Sequence, residues 1–245
     1  MEVHHHAHTE RKKWTHYFWE FLMLFLAVFC GFLAEYQLEH KIEKDRERQY
    51  IKSFEEDLAA DTVEFNSRIR FCDLTIKIAD SLILLLGHPQ KNEMAGDIYY
   101  YFRFIHRSNP FTVNDRTIIQ LRNAGGMRLV SDKKVSDSMI SYYKAADLVK
   151  YLDEEQIEMK RSIRPHFSKL LYAEDLAKVV DDNNRVMRTS ETLRLKTVDE
   201  ESINAVRTNL ELIRGINMGI KTRITQLKER AIIIRRFIIE EYHLQ

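Results

Sequence analysis

Four histidines near the start of the chain have the residue type and spacing of a metal-binding tail. His4, His5, His6 and His8 form the run HHHAH, which leads directly into RKKW. Neutral imidazoles are common ligands of zinc, nickel and copper, and a short tail can wrap several of them around one ion. No rigid scaffold that would orient these ligands is visible around the run. We therefore expect incidental binding of a divalent metal here and no resident cofactor.

Other reactive side chains do not fall into familiar catalytic spacings. The sequence has no G-x-S-x-G and no H-E-x-x-H. Its two cysteines, Cys30 and Cys72, exclude a disulfide framework and a cysteine-based zinc finger. Gly125 and Gly126 precede MRLV and lack the Lys-Ser/Thr of a phosphate-binding loop. We therefore expect a protein that is not an enzyme.

Composition narrows the class of protein further. Of 245 residues, 31% are charged and 44% hydrophobic, which excludes a disordered tail and a multi-span membrane protein. Only 7 Gly and 3 Pro argue against an all-β fold. Lys and Arg number 38 and Asp and Glu 37, which gives no reason to expect a nucleic acid partner.

One segment near the N-terminus has the composition of a membrane-spanning helix. Residues 21–34 read FLMLFLAVFCGFLA and carry no charge, and aromatic residues flank this run on both sides. Phe32 stands where a signal-peptide cleavage site ending at Ala34 needs a small residue, so we expect the segment to be uncleaved. The chain therefore divides into a histidine-rich and basic tail over 1–16, a transmembrane helix over 17–36 and a helical domain over 37–245.

Charges beside this segment bear on its orientation and its role. Arg11, Lys12 and Lys13 precede it directly, so we expect a single pass through a bacterial inner membrane with a cytoplasmic N-terminus and a periplasmic domain. Counting positive residues alone favours the reverse orientation. Glu20 and Glu35 border the apolar run, where a carboxylate can reach headgroups or water; a pore or relay role for Glu20 in an oligomer stays open.

Heptad patterns predict long helices in the domain. The first helix, over about 37–86, carries a seam of apolar residues spaced by seven and a second row at Ile69, Ile76 and Ile83. The residues of this seam are Ile51, Leu58, Phe65, Cys72, Ala79 and Leu86. Because Cys72 lies on the seam, we expect it in the core.

The last helix, over about 197–243, has the cleanest repeat. Its seam includes Ile203, Leu210, Asn217 and Ile224, and a second row follows three residues later from Val206 to Ile234. A buried Asn on a seam fixes register or partner number at a cost in stability, so Asn217→Leu should raise thermal stability and loosen partner number. Thr197 and Glu200 have the spacing of a capping box. Gly215 and Gly219 would let a neighbouring helix approach closely.

Two further helices, one long and one short, are expected between the first and the last helix. A third long helix over about 132–164 is capped by Ser131 or Asp132. The aromatic segment within 94–107 predicts a helix whose core face carries Ile98, Tyr101, Phe102 and Ile105.

The quoted segments resemble a known family. The run MEVHHH…YFWEFLMLFLAVFCGFLAEYQLEH, IKSFEEDL and TIIQLRNAGGMRLVSDKKVSDSMISYY together resemble uncharacterised single-span membrane proteins from Bacteroidota, over roughly residues 1–150. The resemblance implies an inner-membrane location and a helical domain, and it supplies no activity or site residues.

Together these patterns predict an all-α protein in which a single N-terminal transmembrane helix continues into an elongated helical bundle or coiled-coil-like domain. The leading hypothesis is a non-enzymatic, membrane-anchored scaffold or accessory subunit that acts by self-association or by docking onto another membrane protein. The second is a ligand-sensing bundle that needs a signalling partner, with residues 98–104 lining a pocket. The third is a metal-dependent enzyme or metal carrier. Whether the seams pair within one chain or between chains stays open.

Overall fold

The computed structural model describes residues 13–123 and 125–244, and these confirm the all-α fold. The chain forms two compact units, residues 1–49 and 50–245. No strand is present within the described ranges, where only isolated β-bridges occur. The helices are α1 (Trp14–Gly87), α2 (Ala95–Ile105), α3 (Arg116–Asn123), a 3₁₀ turn (Gly126–Leu129), α4 (Lys133–Ser162), α5 (Arg164–Leu170), α6 (Ala173–Ala177) and α7 (Glu200–Tyr242).

Among its described residues, the first unit consists almost entirely of the N-terminal part of α1. By length and composition this helix can cross a membrane, and none of its most apolar 18-residue window is buried. Aromatic rings repeat along one side of it, as in the stacked pairs Phe21–Phe25 (6.3 Å) and Phe25–Phe29 (5.9 Å between centroids). Apolar side chains with no protein cover need another apolar environment.

The second unit is a bundle whose core is built by the rest of α1 together with α4 and α7. The predicted α1 seam is confirmed, because all six of its residues are fully buried. Both predicted rows of α7 are buried as well, from Ile203 to Ile238 and from Val206 to Ile234. α4 adds a stripe that contains Val135, Met139, Tyr142, Ala146 and Val149.

A ladder of polar pairs joins α1 to α7 within the chain. Arg214 Nε lies 2.7 Å from Asp80 Oδ1, and Lys221 Nζ lies 2.6 Å from Asp73 Oδ1. One further heptad along, Lys228 Nζ donates to Asn66 Oδ1 at 2.7 Å. As residue numbers rise on α7 they fall on α1, so the helices are antiparallel. The seams therefore pair within one chain.

Three local predictions are corrected. The second buried row of α1 is not Ile69, Ile76 and Ile83, which are only half-buried, but Phe54, Asp61, Arg68, Thr75 and Leu82. Three of these five residues are polar. Asp61 and Arg68 have hydrogen-bond partners from other elements, whereas Thr75 donates to the carbonyl oxygen of Phe71 in its own helix.

The other two corrections concern α7 and α2. α7 begins at Glu200, because Asp199 rather than Thr197 caps it by accepting from Ser202 N at 2.9 Å. In α2 the buried ring belongs to Tyr99, while Tyr101 and Phe102 are half-buried. The predicted cap of α4 is confirmed at Asp132. After α3, Gly125 takes a left-handed φ of 61°, which only glycine adopts without strain.

Candidate functional site

A layer of buried polar side chains divides the core of the bundle. One apolar cluster contains Phe65 and Cys72 of α1 with Ile220 of α7, and the other contains Ile78 of α1 with Ile213 of α7. At the boundary, five polar residues from three helices are each at most 5% exposed. They are Arg68 of α1, Asp153, Gln156 and Lys160 of α4, and Asn217 of α7.

Hydrogen bonds connect this layer from helix to helix. Arg68 donates from Nη2 to Asp153 Oδ1 and, at 3.1 Å, to Gln156 Oε1. Gln156 donates from Nε2 to Asn217 Oδ1, and Asn217 donates from Nδ2 to the carbonyl oxygen of Ile213 at 2.7 Å. The other Asp153 oxygen accepts from the backbone N–H of Phe111 at 2.9 Å. Apart from the bond to Ile213, which lies within α7, each of these bonds joins two elements, so the layer fixes how they are aligned along the bundle.

Lys160 is the second buried cation of this layer, beside Arg68. Lys160 Nζ donates to the carbonyl oxygen of Arg107 at 2.7 Å, and Lys160 and Arg68 lie 5.1 and 5.3 Å from the centre of the Phe71 ring. Burial, together with the nearby Arg68 charge, lowers the pKa of Lys160 to about 8. Burial also raises the pKa of the neighbouring Cys72 thiol, as expected for a core cysteine rather than a nucleophile.

A second buried polar group attaches the segment before α3 to α1. Asp61 accepts from Asn114 N (2.8 Å), Asn114 Nδ2 (2.7 Å) and the Tyr142 hydroxyl (2.5 Å). Asp57, one turn earlier, accepts from Thr117 Oγ1 (2.5 Å) and forms an ion pair with Arg116 (3.0 Å). Burial raises the pKa of Asp61 although these donors oppose the shift. The two carboxylates hold the start of α3 in place.

The aromatic segment also attaches one part of the chain to another. The Tyr99 hydroxyl donates to the carbonyl oxygen of Arg194 (3.0 Å) and accepts from Tyr172 N (2.7 Å). The guanidinium of Arg188 lies 4.4 Å from the centre of the Tyr100 ring and pairs with Asp97 at 2.8 Å. These contacts secure residues 172–194 against α2.

No protein-family model, curated protein or solved structure matches this chain. The family resemblance over residues 1–150 therefore stays a prediction, and the role of each site follows from its own geometry.

The predicted metal and membrane residues have different outcomes. His4, His5, His6 and His8 lie outside the described residues. Across 13–123 and 125–244, no three His, Cys, Asp or Glu side chains are grouped closely enough to hold a metal ion. Glu20 pairs with His16 one turn earlier at 3.1 Å, and Glu35 is exposed on α1.

The predicted packing residues of α7 are brought together in the core, with two exceptions. Ile203, Leu210, Asn217 and Ile224 are buried. Gly215 and Gly219 are exposed, and a Cβ atom built on either would meet nothing within 4 Å. Neither glycine therefore admits a helix of the described bundle.

Sequence reasoning missed two S-x-x-K spacings, the pattern of a serine nucleophile with a lysine base. They are Ser131–Lys134 and Ser141–Lys144. All four residues lie on the exposed side of α4 or just before it. Ser141 Oγ lies 3.1 Å from an Arg230 nitrogen on α7, so this serine belongs to a contact between helices.

Proposed function

We propose that this protein is a membrane-anchored, non-enzymatic helical scaffold or accessory subunit. The observation that carries the proposal is the contrast between the two units. The bundle buries its own seams, whereas no residue in the 18-residue apolar window of α1 is buried. Lipid is the environment that suits such a helix, because its backbone hydrogen bonds are satisfied internally. The basic residues before it favour a cytoplasmic N-terminus and a periplasmic domain in the inner membrane.

The two faces of the anchoring helix support assembly within the membrane. At 100° per residue, Phe25, Phe29 and Phe32 fall on one face, and Ala27 and Gly31 fall on the opposite one. Small residues let helix backbones approach closely in lipid, where large side chains face outward. Because the bundle seams are occupied within the chain, we infer that self-association uses the small-residue face of the anchor.

Membrane extraction tests the anchor with a matched pair of variants. Val28 in the anchor and Val63 in the bundle part of α1 are similarly exposed, at 72% and 70%. An arginine at the centre of a span costs about 2.5–3.5 kcal/mol in insertion. We expect Val28→Arg to move the full-length protein into the fraction that alkaline carbonate releases, and Val63→Arg to remain in the membrane. Equal behaviour of the two variants would refute the anchor.

Native mass spectrometry of the wild-type complex then tests the scaffold role. A defined homo-oligomer supports self-association, and a stoichiometric second membrane protein supports an accessory subunit. A strictly monomeric protein with no partner after mild extraction would contradict both.

A further inference from the structure

A cavity of about 500 Å³ lies where α1 ends and α7 begins. Leu86 and Ile203 form its buried apolar side, while Gly87 and the loop residue Lys91 lie on the α1 side. Glu200, Glu201, Asn204 and Arg207 reach it from the first turns of α7. Its volume is within the range of about 300–1,000 Å³ that is usual for small-molecule sites.

Arg207 is placed against this cavity by close packing on a glycine. A Cβ atom built on Gly87 would lie 3.2 Å from both Cζ and Nη2 of Arg207, so the guanidinium rests on the bare backbone. Its Nε is buried and has no hydrogen-bond partner in the described part of the chain. A buried donor without an acceptor costs free energy, so the described part of the chain leaves this guanidinium incompletely satisfied.

The charges around the cavity differ from those along the bundle. Arg214, Lys221 and Arg235 of α7 each pair with an acidic residue of α1. Within 13–123 and 125–244, by contrast, neither Arg207 nor Lys91 has a carboxylate within ion-pair distance. Glu200 and Glu201 likewise have no cation at that distance among the described residues. Two cations and two carboxylates thus line one cavity without neutralising each other.

We propose that this cavity binds a small zwitterion of the α-amino-acid type. Arg207 and Lys91 bind its carboxylate, and Glu200 and Glu201 bind its ammonium group. A dianion would be repelled by the two glutamates, and a simple cation by Arg207 and Lys91. A net-neutral ligand that carries both charges satisfies all four groups. The Asn204 amide can donate to its carboxylate or accept from its ammonium group.

Thermal unfolding of the full-length protein in detergent, followed by circular dichroism, tests the site. The probes are the twenty common amino acids, with acetate and methylamine as carriers of one charge each. We expect at least one amino acid to raise the melting temperature saturably, and neither control to do so at equal concentration. No shift with any amino acid, or an equal shift with acetate, would overturn the assignment.

Variants then locate the binding. Arg207→Gln should weaken the apparent affinity for that amino acid at least tenfold, and Glu201→Gln should weaken it while improving the response to acetate. Arg223→Gln, an exposed change on the same helix outside the cavity, is the matched control and should bind normally. Normal affinity in Arg207→Gln would show that the ligand binds elsewhere. Membrane extraction is unaffected by these variants, so this test and that of the anchor fail separately.

Discussion

Gln156 of α4 donates its side-chain amide hydrogen bond to Oδ1 of Asn217 of α7, in the buried layer that divides the core. Asn217 is fully buried, and its Nδ2 donates to the carbonyl oxygen of Ile213. Its polar groups therefore have partners within the chain. The heptad pattern predicts that a seam Asn fixes register or partner number. The bond to Gln156 supports the first of these, because it aligns α4 with α7 within one chain.

Asn217→Leu should therefore destabilise the bundle, contrary to the expectation from the heptad pattern alone. Leucine removes the acceptor of Gln156 and leaves a buried amide donor unpaired, which costs about 1–3 kcal/mol. Urea unfolding of the full-length protein in detergent measures the loss. Met218→Leu, at the exposed neighbouring position, is the control and should change little. Equal or greater stability of Asn217→Leu would mean that the layer contributes nothing.

The same layer shows where sequence reasoning succeeds and where it stops. Both rows of α7 could be predicted because every member except Asn217 is apolar. In the second row of α1, Asp61 and Arg68 look like solvated positions. Each is buried by a partner distant in sequence, since Tyr142 lies 81 residues after Asp61 and Asp153 lies 85 after Arg68. Hydrophobic periodicity carries no information about such partners.

The end cavity was missed for a related reason. Arg207 and Lys91 are each ordinary charged residues in sequence, and only the antiparallel arrangement of α1 and α7 brings them to one cavity. The lack of an ion pair at Arg207 is a property of the folded chain. No spacing within α7 could have indicated it.

Lys160 should make the stability of the bundle rise with pH above neutrality. Its folded pKa is about 8, against an ordinary 10.5. Between these values the unfolded chain binds the extra proton, so the free energy of unfolding increases with pH, by at most about 1.4 kcal/mol per unit. Below about pH 8 the Lys160 amine is charged in both the folded and the unfolded protein, so the folded state carries the full free-energy cost of burying that charge. Buried groups with raised pKa values oppose this trend at higher pH: the Cys72 thiol above about pH 9, and Tyr142 and Tyr143 above about pH 10.

Lys160→Met should remove that slope. Urea unfolding at several pH values between about 7 and 9, below the range in which Cys72 titrates in the unfolded chain, measures the slope. Lys150→Met, an exposed change on the same helix, should keep the wild-type slope. If the two variants show the same pH dependence, Lys160 is not the group responsible.

The ladder between α1 and α7 predicts how charge reversal behaves. Lys221→Asp places a second carboxylate beside Asp73 and should cost about 0.2–1 kcal/mol or slightly more, since the pair is partly exposed. Adding Asp73→Lys to this variant should recover most of the lost stability without changing the oligomeric state. Thermal unfolding together with native mass spectrometry measures both. A change in oligomeric state in the single variant would mean that the ladder pairs between chains.

Asp61 should control the order of the segment before α3. Asp61→Ala removes the acceptor of three hydrogen bonds and leaves the Tyr142 hydroxyl buried, so we expect a loss of about 3 kcal/mol or more. Hydrogen exchange should accelerate over residues 111–117 before it does elsewhere in the bundle. Glu64→Ala, an exposed change one turn along α1, should leave exchange unchanged. Uniform acceleration across the bundle would indicate general destabilisation instead.

The two faces of the anchor give the last prediction. Gly31→Leu and Ala27→Leu should weaken self-association in the membrane, because a larger side chain keeps helix backbones apart. Phe25→Leu and Phe29→Leu lie on the opposite face and keep the span apolar, so they should leave self-association intact. Cross-linking or native mass spectrometry of the four full-length variants compares them. All four keep the apolar span, so carbonate extraction should be unchanged in each. If the phenylalanine variants dissociate and the small-residue variants do not, the aromatic face is the contact between copies.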